Sequence, residues 1–184
     1  PEPILRALHE RIDHGLFGYQ FDAPELRDIL VERMQNRYQW SIEAKDIMFL
    51  PNLVSALNVA ARAYAEPGAG ILMNSPIYPP FITAPKNGGR EAVFAELALV
   101  KQGQIIRYEI DFDRLDAAVT PQTTLFMLCN PHNPVGRVYE TWELEKLAEF
   151  CQRHNLVICS DEIHCDLLFE AYQHQPIAAL APER

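Results

Sequence analysis

Asp161 follows a run of largely apolar residues, Leu156-Val-Ile-Cys159 and then Ser160, so its carboxylate would leave a buried strand with little water around it. A carboxylate in that setting needs a cationic or hydrogen-bonding partner, and a protonated ring nitrogen would serve. His164, three residues on, could share a helical face with it and donate toward a phenolate oxygen. A plainer reading competes: Ser160 and Asp161 are both good N-caps for a helix over 163–168, and an isolated histidine is more often a satisfied surface or core group. The second stretch is Asn130-Pro-His-Asn133-Pro-Val-Gly136-Arg137, in which two Asn-Pro turns closed by glycine make a rigid, irregular loop directly behind a buried strand. Such a loop can aim the Asn133 amide at a ligand oxygen with little entropy to lose. One Asn-Pro would read as strand termination; a doubled one with Gly-Arg behind it is harder to dismiss.

Two further junctions carry weaker signals. Residues 51–56 (Pro51-Asn-Leu53-Val54-Ser-Ala) join a predicted strand to a helix N-terminus, where free N–H groups and the helix dipole attract phosphate. Every such junction has these donors, and no glycine-rich loop marks this one. Pro76-Ile-Tyr78-Pro-Pro-Phe81 fixes an aromatic ring among prolines, which suits stacking on a flat ligand, although a core role is commoner for such a tyrosine.

The elements that must position these groups alternate between helix and strand. Apolar spacing and capping signals predict helices over 23–38, 53–65, 112–119 (N-cap Asp111) and 141–154, the last opening with a capping box at Thr141. Residues 76–85 start irregularly and turn helical, stopping at Asn87-Gly-Gly. Short apolar runs predict strands over 46–50, 70–74, 90–97, 105–110, 123–129 and 156–159, with a loop over 101–104. Alternation of this kind implies an α/β fold, and in such folds ligands sit beyond the carboxyl ends of the strands. Both polar stretches fall there.

Composition narrows the partner. A 184-residue chain with 48% hydrophobic and 22% charged content can bury one ordinary core. Its net charge of -9 has no compensating basic cluster, so nucleic acid or an anionic membrane surface would be a poor partner, and a small molecule fits better. Cys129, Cys151, Cys159 and Cys165 show no CxxC spacing, which favours a reducing cytoplasm over a disulfide framework. No apolar stretch reaches the ~20 residues of a spanning helix, and no signal-peptide pattern opens the sequence. The absence of HExxH or a comparable ligand set argues against a metal hydrolase built on Asp161, His164 and Asp166.

Taken together, residues 130–137, 160–167 (SDEIHCDL), 76–81 (PIYPPF) and 14–19 (HGLFGY) with Glu25-Leu-Arg27 resemble fold-type I pyridoxal phosphate (PLP) enzymes. Within the class I/II aminotransferase superfamily, NPHNPVGR and SDEIHxDL are similar to the PatB/MalY group of cystathionine beta-lyases. That resemblance implies a three-layer αβα sandwich with a mostly parallel mixed sheet, and assigns residues 1–184 to part of the PLP-binding large domain. It implies that Asp161 pairs with the pyridine nitrogen, that Asn133 and His164 hydrogen-bond the phenolic oxygen, and that Tyr78 stacks on the ring. The amides of Leu53 and Val54 would hold the phosphate, and Tyr19 would reach the phosphate of a neighbouring subunit, making a homodimer with shared sites. Asn52 stands where the family usually has glycine; asparagine is the non-glycine residue that best tolerates a left-handed backbone, so the phosphate cradle could survive there.

The implied reaction is elimination at the β-carbon of a cysteine-type amino acid, giving thiol, pyruvate and ammonia (C–S lyase). The alternatives are an aminotransferase and a non-catalytic fragment or regulatory protein. The family's Schiff-base lysine lies in a later Ser-x-Ser-Lys segment, and its carboxylate-binding arginine in a C-terminal small domain. The four lysines here, Lys45, Lys86, Lys101 and Lys146, all precede Asp161. The expectation is therefore a partial large domain, without the rest of that domain or the small one, that is inactive alone.

Overall fold

The computed structural model describes residues 1–19 and 23–181. The first half runs α1 (Glu2–His14), α2 (Pro24–Tyr38), a 3-10 turn (Ala44–Asp46), α3 (Leu53–Tyr64), β1 (Gly70–Ser75), α4 (Pro79–Asn87) and β2 (Glu91–Glu96). The second continues with β3 (Ala98–Gln102), β4 (Ile105–Glu109), α5 (Phe112–Ala118), β5 (Thr123–Cys129), α6 (Thr141–Arg153), β6 (Val157–Asp161) and α7 (Ile177–Leu180).

Strands β2-β1-β5-β6 form one wholly parallel sheet in that order, and β3 and β4 form a separate antiparallel ribbon. Successive side chains on a strand point to opposite faces, so the apolar runs of β1 and β5 feed two cores at once. Ile71, Met73, Leu125, Met127 and Cys129 pack under α3 and α4 with Leu57, Ala61, Phe81 and Ala84. Leu72, Phe126 and Leu128 pack on the other face against Leu115 of α5, Leu144, Leu147 and Phe150 of α6, and Ile177 of α7. The expected α/β arrangement is therefore present, with helices on both faces of the sheet.

Several local expectations change. Residues 46–50 make no strand: Glu43 and Asp46 cap each other across the 3-10 turn, with the Glu43 N–H donating to Asp46 Oδ2 at 2.9 Å. The Arg27 guanidinium takes the carbonyls of Ala44 and Ile47, and Met48 stays exposed. The predicted loop over 101–104 shrinks to a turn between β3 and β4, with Gly103 at φ 60° supplying the left-handed residue that a tight hairpin needs. The capping box of α6 starts one residue earlier than expected, with Glu140 as N-cap and Glu143 as its partner. No helix forms over 163–168 directly after Asp161; the chain makes turns over 163–166 instead. Asp166 is drawn instead to α2, where Arg33 donates to both of its oxygens at 2.7 and 2.8 Å and Arg37 lies 2.9 Å away.

Helix α1 buries no residue, and Ile4, Leu5, Leu8 and Ile12 present an exposed apolar stripe. No helix among the described residues is long and apolar enough to cross a membrane.

Two ion pairs illustrate how burial sets the stake. Arg137 and Glu143 retain 10% and 3% side-chain exposure, whereas Arg33 and Asp166 retain 34% and 55%. Glu143→Ala strands a buried guanidinium and removes the α6 box, so it is expected to lower unfolding stability by about 3–5 kcal/mol. Asp166→Ala is expected to cost about 0–1 kcal/mol. Urea titration of the protein carrying this chain measures both; equal losses would refute the burial argument.

Candidate functional site

The carboxyl ends of the parallel strands bring the polar segments together. β5 and β6 are in register through Cys129 opposite Asp161, and the Asn130 N–H then donates to the Asp161 carbonyl at 3.0 Å. The segment leaving β1 is tied to the one leaving β5 by the Tyr78 N–H, which donates to the Asn133 carbonyl at 3.1 Å. Tyr78, Asn133 and Asp161, predicted from separate stretches, thus lie on connected loops at one sheet edge.

The loop over 130–137 is closed by its own backbone. The His132 N–H donates to the Arg137 carbonyl at 2.6 Å, the Gly136 N–H donates to the His132 carbonyl at 2.9 Å, and Gly136 sits at φ 67°. Side chains lock the remainder: Asn130 Oδ1 accepts the Tyr139 N–H at 3.1 Å, and Arg137 donates to the Tyr108 carbonyl at 2.7 Å and pairs with Glu143. His132 is buried, with Nε2 2.9 Å from the Pro76 carbonyl and Nδ1 3.0 Å from the Tyr139 hydroxyl. Cys129 Sγ accepts the Asn133 N–H at 3.5 Å. The motif reading quoted these residues but gave a role only to Asn133. That Asn130, His132 and Arg137 are turned inward could not be read from their spacing, because their partners lie on other elements.

Asp161 is half-buried, and burial pushes its carboxyl above the usual carboxylate range. The Ile163 N–H, which donates to Oδ1 at 3.1 Å, and nearby His164 pull the other way without cancelling the effect. No lysine or arginine pairs with it among the described residues. Neighbouring thiols offer no charge of their own, since burial pushes Cys129 and Cys159 up to about 11. Glu162 has structural partners: it accepts from the Ser160 hydroxyl at 2.8 Å and contacts His174 at 2.9 Å, fastening the chain before α7.

Helix α3 returns to β1 through a short connection, so the two run in opposite directions and the α3 N-terminus lies toward the carboxyl edge of the sheet. Asn52 is its N-cap, accepting the Ser55 N–H at 2.8 Å. Its backbone is extended at φ -167° and ψ 166°, so left-handed tolerance is not what asparagine supplies here; the cap is. The Leu53 and Val54 N–H groups, in the first turn, have no intrahelical acceptor. His164 sits in the turn after β6 rather than on a helix. Tyr19 is fully exposed beyond α1 and hydrogen-bonds to none of the described residues, so it is not brought to the other groups.

A groove of about 1000 Å³ opens beside the loop, lined by Asn133 and His164 together with Ile105, Tyr108, Phe169 and Tyr172. Asp161 and Tyr78 do not line it.

The chain as a whole matches a known family. The sequence profile of the family described as aminotransferase class I and II covers residues 3–184. The chain belongs to that family. Within it, the chain is 41% identical over 184 residues to cystathionine beta-lyase PatB of Bacillus subtilis (strain 168), covering 100% of this chain and 46% of that protein. It superposes on the crystal structure of OvoB with TM-score 0.89 at 41% identity, covering 100% of this chain and 48% of that one. The PLP-bound C-S lyase from Staphylococcus hominis gives TM-score 0.87 at 29% identity, with 100% and 46% coverage. This aminotransferase-family chain spans about half the length of these relatives.

The raised carboxyl of Asp161 has a thermodynamic consequence. An acid whose folded pKa lies above its unfolded one takes up protons on folding, so its charge opposes folding above that range and the penalty fades as pH falls through it. Asp161→Asn keeps an acceptor for Ile163 and removes the charge. With no ligand added, the variant is expected to unfold at a higher temperature than the parent at pH 7, with the two converging toward pH 3. A melting difference independent of pH would overturn this account.

Proposed function

We propose that the protein carrying this chain is a PLP-dependent lyase that breaks the carbon–sulfur bond at the β-carbon of cysteine-type amino acids. With one water consumed, the products are a thiol, pyruvate and ammonia. The observation that carries the reading is a half-buried Asp161 carboxylate without a cationic partner among the described residues, held on the same sheet edge as Asn133 and Tyr78. The 41% identity to a cystathionine beta-lyase favours a lyase within the family.

The residues present fit PLP by charge and by placement. When bound, the cofactor supplies an electron-withdrawing ring that acidifies the substrate α-carbon. Asp161 holds a proton on the ring nitrogen, and that positive charge relieves the carboxylate's own burial penalty. Asn133 and His164 hydrogen-bond the phenolic oxygen, and Tyr78 covers one ring face. The free N–H groups of Leu53 and Val54 hold the phosphate at the α3 N-terminus. The groove beside Asn133 and His164 gives an amino acid access from the β3–β4 side. Tyr19, exposed and without a hydrogen-bond partner among the described residues, reaches the phosphate site of a second subunit in a homodimer. Residues 1–184 thus belong to the cofactor-binding domain.

An aminotransferase would use the same groups, and the family's description favours it as the second reading. Assay of the full-length protein with L-cystathionine is expected to release pyruvate and thiol together; transamination without thiol would overturn the lyase reading. Asp161→Ala is expected to lower kcat by about 100-fold or more.

In the 184-residue chain alone, no lysine pairs with Asp161 among the described residues. Lys45 pairs with Glu43 and Lys146 lies over the Phe112 ring, while Lys86 and Lys101 are on α4 and β3. The isolated chain is therefore expected to bind PLP without covalent linkage and to be inactive. Borohydride treatment followed by peptide mass analysis checks this, and a pyridoxyl adduct on any of the four would refute it.

A further inference from the structure

His132 belongs to none of the roles above, yet it is among the most buried polar residues, with 1% exposure. Its two nitrogens face different elements. Nε2 lies 2.9 Å from the Pro76 carbonyl, and a carbonyl can only accept, so Nε2 must carry the hydrogen. Nδ1, 3.0 Å from the Tyr139 hydroxyl, is then the acceptor of that O–H in the neutral ring. Burial pushes the His132 imidazole below its ordinary value; its bonds to the Pro76 and Cys129 backbone pull the other way without cancelling this, and the nearby Arg137 charge adds to the lowering. Burial likewise raises the Tyr139 hydroxyl, so both shifts favour the neutral forms that this pattern of donors and acceptors needs.

The consequence lies in what the ring joins. Pro76 is two residues before Tyr78, and His132 is next to Asn133. The His132–Pro76 bond therefore runs beside the bond from the Tyr78 N–H to the Asn133 carbonyl. Two bonds at neighbouring positions fix the register and the spacing of the two loops, where one alone would leave a pivot. Tyr139 buttresses the ring from behind, and its own N–H is held by Asn130. Together these bonds hold the wall that carries Tyr78 and Asn133.

We propose that His132, oriented by Tyr139, is a positioning residue that clamps the Pro76–Tyr78 loop to the Asn133 loop and so sets the ring-stacking and oxygen-binding groups for PLP. This rests on the PLP reading above. His132 touches no reacting atom in this role; it acts through Tyr78 and Asn133.

The test uses the full-length protein and measures the PLP dissociation constant by fluorescence titration, beside thermal melting. His132→Leu is expected to weaken PLP by about tenfold and Tyr139→Phe by a few-fold, the range that follows from losing neutral hydrogen bonds. His132→Gln, which can still donate to Pro76, should recover most of the affinity. In the background of Tyr78→Ala, His132→Leu should weaken PLP by clearly less than in the parent, because only the Asn133 part of its action is left to lose. Independently, 15N NMR of the parent should show the neutral Nε2–H tautomer of His132 at pH 7.

PLP affinity unchanged in His132→Leu, or equal losses with and without Tyr78, would overturn the proposal and leave the function standing. A lowered melting temperature with normal affinity would also overturn it, reducing His132 to a purely structural role. Failure of the unsubstituted protein to bind PLP would instead overturn the functional reading, and this proposal with it.

Discussion

β1 and β5 are stripped of water on both faces, and the remainder of the structure answers to that constraint. A strand in that position can satisfy its backbone only through neighbouring strands, and it tolerates few polar side chains along its length. Residues 71–73 and 125–129 accordingly read as nearly unbroken apolar runs, with alternate residues assigned to the α3–α4 core and the α5–α6–α7 core. Polar chemistry is displaced to where the strands end. Because all four strands of the sheet are parallel, those ends lie along one edge, and segments far apart in sequence meet there.

Meeting at an edge does not fix geometry, and the loops require a second level of organisation. Asn130, His132, Arg137 and Tyr139 supply it by turning polar atoms into the interior, each toward a backbone group or a side chain on another element. In that low-dielectric setting hydrogen bonds across elements hold one conformation firmly. Two groups differ among the described residues: Asn130 Nδ2 is buried without a hydrogen-bond partner, and Asp161 is half-buried, pushed upward in pKa and without a cationic partner. The contrast between loop residues tied to other elements and one uncompensated carboxylate separates scaffold from binding group more clearly than residue type does.

Sequence patterning was a good guide wherever a signal was local. The runs at 70–74, 123–129 and 156–159, the Asp111 cap and the alternation of elements all reappear, because apolar periodicity and capping act within a few residues. It misled where a side chain from elsewhere intervened. Residues 46–50 have a strand's composition, but Arg27 takes up the Ala44 and Ile47 carbonyls and a reciprocal cap bends the chain. Asp161 looked like a possible helix cap, but the following residues form turns, and Asp166 is held by Arg33 and Arg37 of α2.

By itself, then, the sequence determined the α/β class, the family resemblance and the identity of the polar groups at the strand ends. Those follow from spacing along the chain, which folding cannot alter. Only the tertiary structure decided which of those groups are spent on the scaffold and which remain free. It turned His132 inward and left Asp161 unpaired, gave Asn52 a capping role in an extended backbone, and kept Tyr19 away from the other candidates. These outcomes depend on who lies across the gap, and burial and pairing are properties of neighbours in space.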